Sequence, residues 1–215
     1  MTLTETTLQV WADVRCPWCW MGHRRLARAI AQSGASVQVQ HRSFLLEPQG
    51  PTSERRLVGD VAIAEWGLTE AEWAIRRDRI ERSGQVDGLR IRIDTARTID
   101  SRGAHRVLKL VEARGLDVDA AWEAMFAVHL ERNLDLEDWD QLADLGAGLG
   151  LDHQEVLGLA NSEDYAAEVL TDHREAQSRG FHSVPTVAHG ERHLSGARNT
   201  TELTAFVRSA ATVVE

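Results

Sequence analysis

Leu8-Gln9-Val10-Trp11-Ala12-Asp13-Val14-Arg15-Cys16-Pro17-Trp18-Cys19-Trp20-Met21-Gly22 is the stretch that decides the reading of this 215-residue chain. Its first half is β-like, and its second half opens a helical pattern. Met21, Leu26, Ala29 and Ile30 recur at helical spacing, with Arg24, Arg25 and Arg28 on the other face. Cys16 and Cys19 are the only cysteines. Pro17 suits the first turn of a helix, because its missing N–H would have no partner there anyway. Cys16 is therefore predicted at a helix N-terminus, where unpaired N–H groups and the helix dipole favour negative charge. Cys19, one turn further in, is predicted to be more buried and to hold its proton more tightly.

Outward from this motif, Gly34 is a plausible helix stop, and Val37-Gln38-Val39-Gln40-His41-Arg42-Ser43-Phe44 begins as a strict alternation that suits a half-buried strand. If this strand lies parallel to the first, the two form a βαβ unit. Glu47-Pro48-Gln49-Gly50-Pro51 then breaks the pattern. From about Ser53 to Gly150 helix signals dominate. Thr69 with Glu72 reads as a capping box. Apolar stripes run over Ser101–Arg114, Ala120–Leu130, Leu136–Leu149 and His153–Ala160, and Trp66, Trp73, Trp122 and Trp139 are expected in the core of this block. Tyr165–Ser178 is a further helix. Gly190-Glu191 joins Pro185–His189 to Arg192–Ser195 as a hairpin, and Thr201–Val214 is a closing helix. The order βαβ, helical block, αββα predicts an α/β fold with a mixed sheet. Residues 1–50 and 165–215 form one unit and 51–164 a helical insertion.

With 24 basic residues against 33 acidic ones the net charge is −9, which disfavours nucleic acid and anionic membranes as partners. The N-terminal Met1–Thr7 lacks the basic and apolar regions of a signal peptide, and no apolar run approaches a membrane span. A cytoplasmic location is expected. In a reducing compartment a close cysteine pair is redox-active or metal-binding, or two inert residues brought together by chance. His23 extends the motif to Cys16-x2-Cys19-x3-His23, a possible zinc set. A structural zinc site needs four ligands, however, and the motif supplies three. His41, His105, His129, His153, His173, His182, His189 and His193 remain as unassigned fourth donors.

Asp13-Val14-Arg15-Cys16-Pro17-Trp18-Cys19-Trp20-Met21-Gly22 resembles the active-site segment of DsbA-type thioredoxin-fold oxidoreductases, specifically the FrnE-like branch. Phe44-Leu45-Leu46-Glu47-Pro48 is similar to that branch after its second strand, with Glu47 where Asn is expected. Ser101-Arg102-Gly103-Ala104-His105-Arg106 resembles its helical stretch, with Asp100 replacing Asn. Ser183-Val184-Pro185-Thr186 resembles its Gly-Val-Pro loop, with Ser183 replacing Gly, and Ser195-Gly196-Ala197 matches the opening of its last helix.

The resemblance implies a thioredoxin-like fold and thiol–disulfide exchange with protein or small-molecule disulfides. Cys16 would lead and Cys19 resolve, with no organic cofactor. It also implies a cis Val184–Pro185 peptide facing the dithiol, so that Pro17, Trp18, Val184 and Pro185 would contact an extended substrate. Asp13 either accepts the Cys19 proton or only ends the strand. His105 and Arg106 either border the site or form a helix-surface ion pair. Two alternatives stay open. Hydroxychromene carboxylate isomerases and kappa-type glutathione transferases look similar overall, with glutathione as partner, but lack a second cysteine. A zinc-binding or chaperone-like protein is the other.

Overall fold

The computed structural model describes residues 6–52 and 55–212. Strand β1 (Thr6–Ala12) leads into helix α1 (Pro17–Ser33), which ends at Gly34 with φ +72°, and the chain returns as β2 (Val37–Ser43). β1 and β2 pair in parallel, Thr6 opposite Val37 through Ala12 opposite Ser43. Six helices follow: α2 (Val58–Ala64), α3 (Glu70–Val86), α4 (Arg102–Ala113), α5 (Val118–Leu130), α6 (Trp139–Gly148) and α7 (His153–Leu159). Then come α8 (Ala166–Ser178), the hairpin β3 (Thr186–His189) and β4 (Arg192–Ser195), and α9 (Thr200–Ala211). The sheet order is β2-β1-β3-β4, with β3 antiparallel to both β1 and β4. This is the mixed βαβ…αββα sheet expected. The predicted helical start at Ser53, the first five residues and the last two residues of the predicted closing helix lie outside the described residues.

Local sequence explains most of the boundaries. Thr69 and Glu72 form the capping box that starts α3, and Asn199 and Glu202 form another at α9. Asp117, Asp138 and Asp152 cap α5, α6 and α7 by accepting backbone N–H groups of the first turn. Trp66 departs from expectation. It follows the short α2, beside Gly67 with φ +70°, and is about half exposed at 51%. The turn that stops α2 carries this side chain away from the core.

The alternation along β1 sorts its side chains onto two faces. Leu8 and Val10 pack with Leu26 and Ala29 of α1, Val187 of β3, and Leu203, Phe206, Val207 and Ala210 of α9. Trp11 faces the other way, meets Phe181 edge-on at a centroid distance of 5.1 Å and donates to the Asp172 carbonyl of α8 at 3.0 Å. On that side one core cluster runs from Trp11, Val14, Cys19 and Met21 to Trp122 and Phe126 of α5 and Val107 of α4. The first turns of α1 are thus packed against the helical segment. Glu123 of α5 accepts from Trp20 Nε1 at 2.9 Å and from Arg24, and Asp87 at the end of α3 pairs with Arg25 and Arg28.

Candidate active site

Cys16 is the N-cap of α1, in extended conformation, and Pro17 is the first helical residue. The Cys16 N–H donates to the Asp13 carbonyl at 3.0 Å, and the Cys16 carbonyl accepts from Cys19 N at 3.0 Å. Both sulfurs are free thiols. Cys16 keeps 6% exposure, whereas Cys19 keeps 1%. Burial first, then the neighbouring Cys16 thiol and the charge of Asp13, push the Cys19 pKa well above that of an ordinary thiol.

The Val184–Pro185 peptide is cis and Val184 belongs to the same core cluster as the two cysteines. The Pro185 ring rests on α1 at Gly22, where a Cβ would lie 2.6 Å from Pro185 Cγ, so only glycine admits this approach. The loop is tied from both sides. Gly196 N donates to the Pro185 carbonyl at 2.8 Å, and Thr186 Oγ1 donates to the Ser183 carbonyl at 2.7 Å. Trp18, between the sulfurs, is partly buried beneath Arg79 of α3, whose guanidinium lies 5.3 Å from the ring centroid. Arg79 of α3 thus adds a positive charge beside the motif that the motif itself did not disclose.

Beneath the motif lies a network of buried polar groups. Asp13 is fully buried and accepts from Arg15 N at 3.0 Å, Leu46 N at 2.8 Å and Ser101 Oγ at 3.3 Å. His105 Nε2 stands 3.6 Å from Asp13 Oδ1, an electrostatic contact too long for a hydrogen bond. Burial pushes the Asp13 pKa up, but the facing His105 ring and Arg15 more than reverse this and hold it below the usual value. Asp13 thus does more than end the strand. The segment after β2 hangs from this network by its backbone, with Ser43 N on Asp172, Phe44 N on the Ala12 carbonyl, Leu45 N on His173 and Leu46 N on Asp13. Glu47, which replaces the expected Asn, pairs with Arg15, and Asp100 pairs with Arg102.

His105 and Arg106 part company. His105 is fully buried at Asp13, with Nδ1 at 3.0 Å from Ser43 Oγ. Arg106 turns away, donates to the carbonyls of Leu159, Ser162 and Asp164, and stacks over Trp139. It clamps the α7–α8 connection and does not border the dithiol. Buried His129 is held neutral down to about 4 by burial and by the like charge of Arg15, against the opposing charge of Asp13. A cavity of about 770 Å³ opens between α4, α6 and α8, lined by Asp100, Arg102, Trp139, His173 and Arg174 among others, but by neither cysteine. The chemistry of the thiols is not housed there.

His23 does not group with the cysteines. Among the described residues the cluster of metal-capable donors that contains it is His23, His41 and Asp119. Nor is any helix among them long and apolar enough to cross a membrane.

The sequence profile of the DSBA-like thioredoxin domain matches residues 7–208. No curated protein matches the chain in sequence. Among solved structures, a probable DsbA oxidoreductase from Streptomyces coelicolor is 27% identical with a TM-score of 0.91, over 98% of this chain and 92% of its own. The cytosolic disulfide reductase DsbM from Pseudomonas aeruginosa gives 0.61 at 19% identity, over 94% of this chain and 97% of its own, and it is also known in a structure with GSH. A 2-hydroxychromene-2-carboxylate isomerase gives 0.64 at 14% identity, over 94% of this chain and 93% of its own. The last two likenesses establish the fold.

Proposed function

Because this chain belongs to the DSBA-like thioredoxin domain family, we propose that it is a thiol–disulfide oxidoreductase working through Cys16 and Cys19. The observation that carries this reading is the unequal placement of the two thiols, one capping α1 and the other buried one turn inside it. In the reducing direction the Cys16 thiolate attacks a substrate disulfide, forms a mixed disulfide and expels one substrate thiolate. Cys19 then gives up its proton and attacks the Cys16 sulfur. The second substrate thiolate leaves, a Cys16–Cys19 disulfide forms, and two electrons have passed to substrate. The Asp13 carboxylate, fully buried on the residue whose backbone carbonyl holds the Cys16 N–H, is the group we assign to take that proton. Two molecules of an external thiol, with glutathione the small-molecule example, restore the dithiol and leave as their own disulfide. The reverse sequence oxidises a dithiol substrate.

Pro17 and Trp18 on one side and Val184 and Pro185 on the other are assigned to substrate contact, since α1 and the Pro185 loop meet at Gly22. An extended peptide could pair there by backbone, which tolerates many sequences. The resemblance of the Asp13–Gly22 segment supports assigning the chain to the FrnE-like branch. Insulin reduction in the presence of dithiothreitol tests this function. Wild type is expected to accelerate it and Cys16→Ser to lose the acceleration, whereas equal rates would remove the proposal.

The fold shared with the 2-hydroxychromene-2-carboxylate isomerase supports a second reading, a glutathione-dependent isomerase or transferase. Cys19 speaks against it, because such chemistry needs no resolving thiol. Tight glutathione binding without any dithiol turnover would favour it instead.

A further inference from the structure

We propose that His23, His41 and Asp119 form a binding site for a divalent transition-metal ion of the zinc class, separate from the cysteines. The three residues come from α1, β2 and α5, and one donor atom of each lies within 4.8 Å of the other two. His41 Nε2 is 2.5 Å from Asp119 Oδ1, and the two imidazole rings stand 5.6 Å apart between centroids. Trp122 stacks on His41 at 5.4 Å and 23°, which fixes the plane of that ring. Two imidazoles with one carboxylate are a donor set suited to zinc and its neighbours, and less to calcium or magnesium.

A plain hydrogen bond from His41 to Asp119 would account for one side of the cluster only. It leaves His23 Nε2 with Glu123 Oε2 at 3.8 Å, beyond hydrogen-bonding distance. Zinc at about 2.0–2.1 Å from its ligands sets donors about 3.3 Å apart. The His41–Asp119 pair would open slightly and His23 close in. Glu123 is engaged by Trp20 and Arg24, so water would complete the coordination. The Asp119 side chain is 64% exposed, which gives the ion a route from solvent, while His41 at 4% anchors the site inside. An ion here would bind α5 to α1 one turn beyond Cys19.

A reduced CxxC pair also takes zinc, so the test uses the full chain as Cys16→Ser/Cys19→Ser. Dialysed against Zn²⁺ or Co²⁺, this variant is expected to retain one ion per chain. The Co²⁺ form should show visible d–d bands without thiolate charge transfer. Asp119→Asn and His23→Gln, introduced singly into it, are expected to weaken Zn²⁺ binding by at least about tenfold, the lower end of what even an outer-sphere change costs a metal site. Asp119 is exposed, so its replacement should leave the fold intact by circular dichroism. Zinc held by reduced wild type but not by the double-serine variant would overturn the proposal. So would binding that both single substitutions leave unchanged.

Discussion

Helix α1 runs through two different environments. Its rear half, at Leu26 and Ala29, packs with α9 and β1 in a layer dominated by apolar side chains. Its front half, at Cys19 and Trp20, lies near buried Asp13, His105 and His129, with Asp172 and His173 further along the same side of the sheet. The first region needs only shape and area. In the second, each buried polar group must find a partner or hold a shifted pKa, and this is where a thiol can be tuned. The contrast suggests a division of labour within one helix, with the rear anchoring and the front reacting.

The sharpest way to break that contrast is to damage the apolar layer and look for an effect on the thiols. Leu203→Ala, at a nearly fully buried site of α9, should cost about 2–5 kcal/mol in urea unfolding. The reduction potential of the dithiol, measured against glutathione, should not move. A changed potential would mean the two regions are one.

The polar side should instead answer to pH. His129 has its pKa lowered from 6.5 to about 4 in the folded chain. Its neutral form is the one the fold accepts, so its contribution is complete above about pH 6.5 and is lost as pH falls towards 4. The shift corresponds to about 3 kcal/mol at the acid end. Urea midpoints should fall through this window, and His129→Met, of similar bulk but not titrating, should flatten the decline. An unchanged slope would contradict the assignment.

Asp13→Asn is expected to act more gently on stability, by about 1–3 kcal/mol, because Asn can accept with only one of its two side-chain atoms where Asp13 accepts with both. Removing the charge should also lower the Cys19 pKa, because the Asp13 charge is one of the causes that raise it. Alkylation rates against pH in a Cys16→Ser background would read this shift, and no movement would separate Asp13 from the thiol.

The strands, α1 and the hairpin were legible because each rests on local signals: Val37–Gln40 alternates, Gly34 stops a helix, and Gly190-Glu191 turns a hairpin. The CxxC position was legible for the same reason. What could not be read were partners distant in sequence. Asp13 and His105 meet only because α4 packs beneath the end of β1, and Arg79 covers Trp18 only because α3 crosses α1. His23 was tied by spacing to the cysteines, but the helix turns it toward His41 and α5. Arg106, adjacent to His105 in sequence, was sent to the opposite side by the same helical geometry.

The central claim is that Cys16 leads and Cys19 resolves. Each single variant, reduced and then exposed to glutathione disulfide, can be followed by intact mass. Cys19→Ser should accumulate one glutathione per chain, on Cys16, because nothing remains to resolve it. Cys16→Ser, whose remaining thiol is buried, should stay unmodified on the same timescale. Equal labelling of the two variants, or an adduct confined to Cys19, would contradict the account.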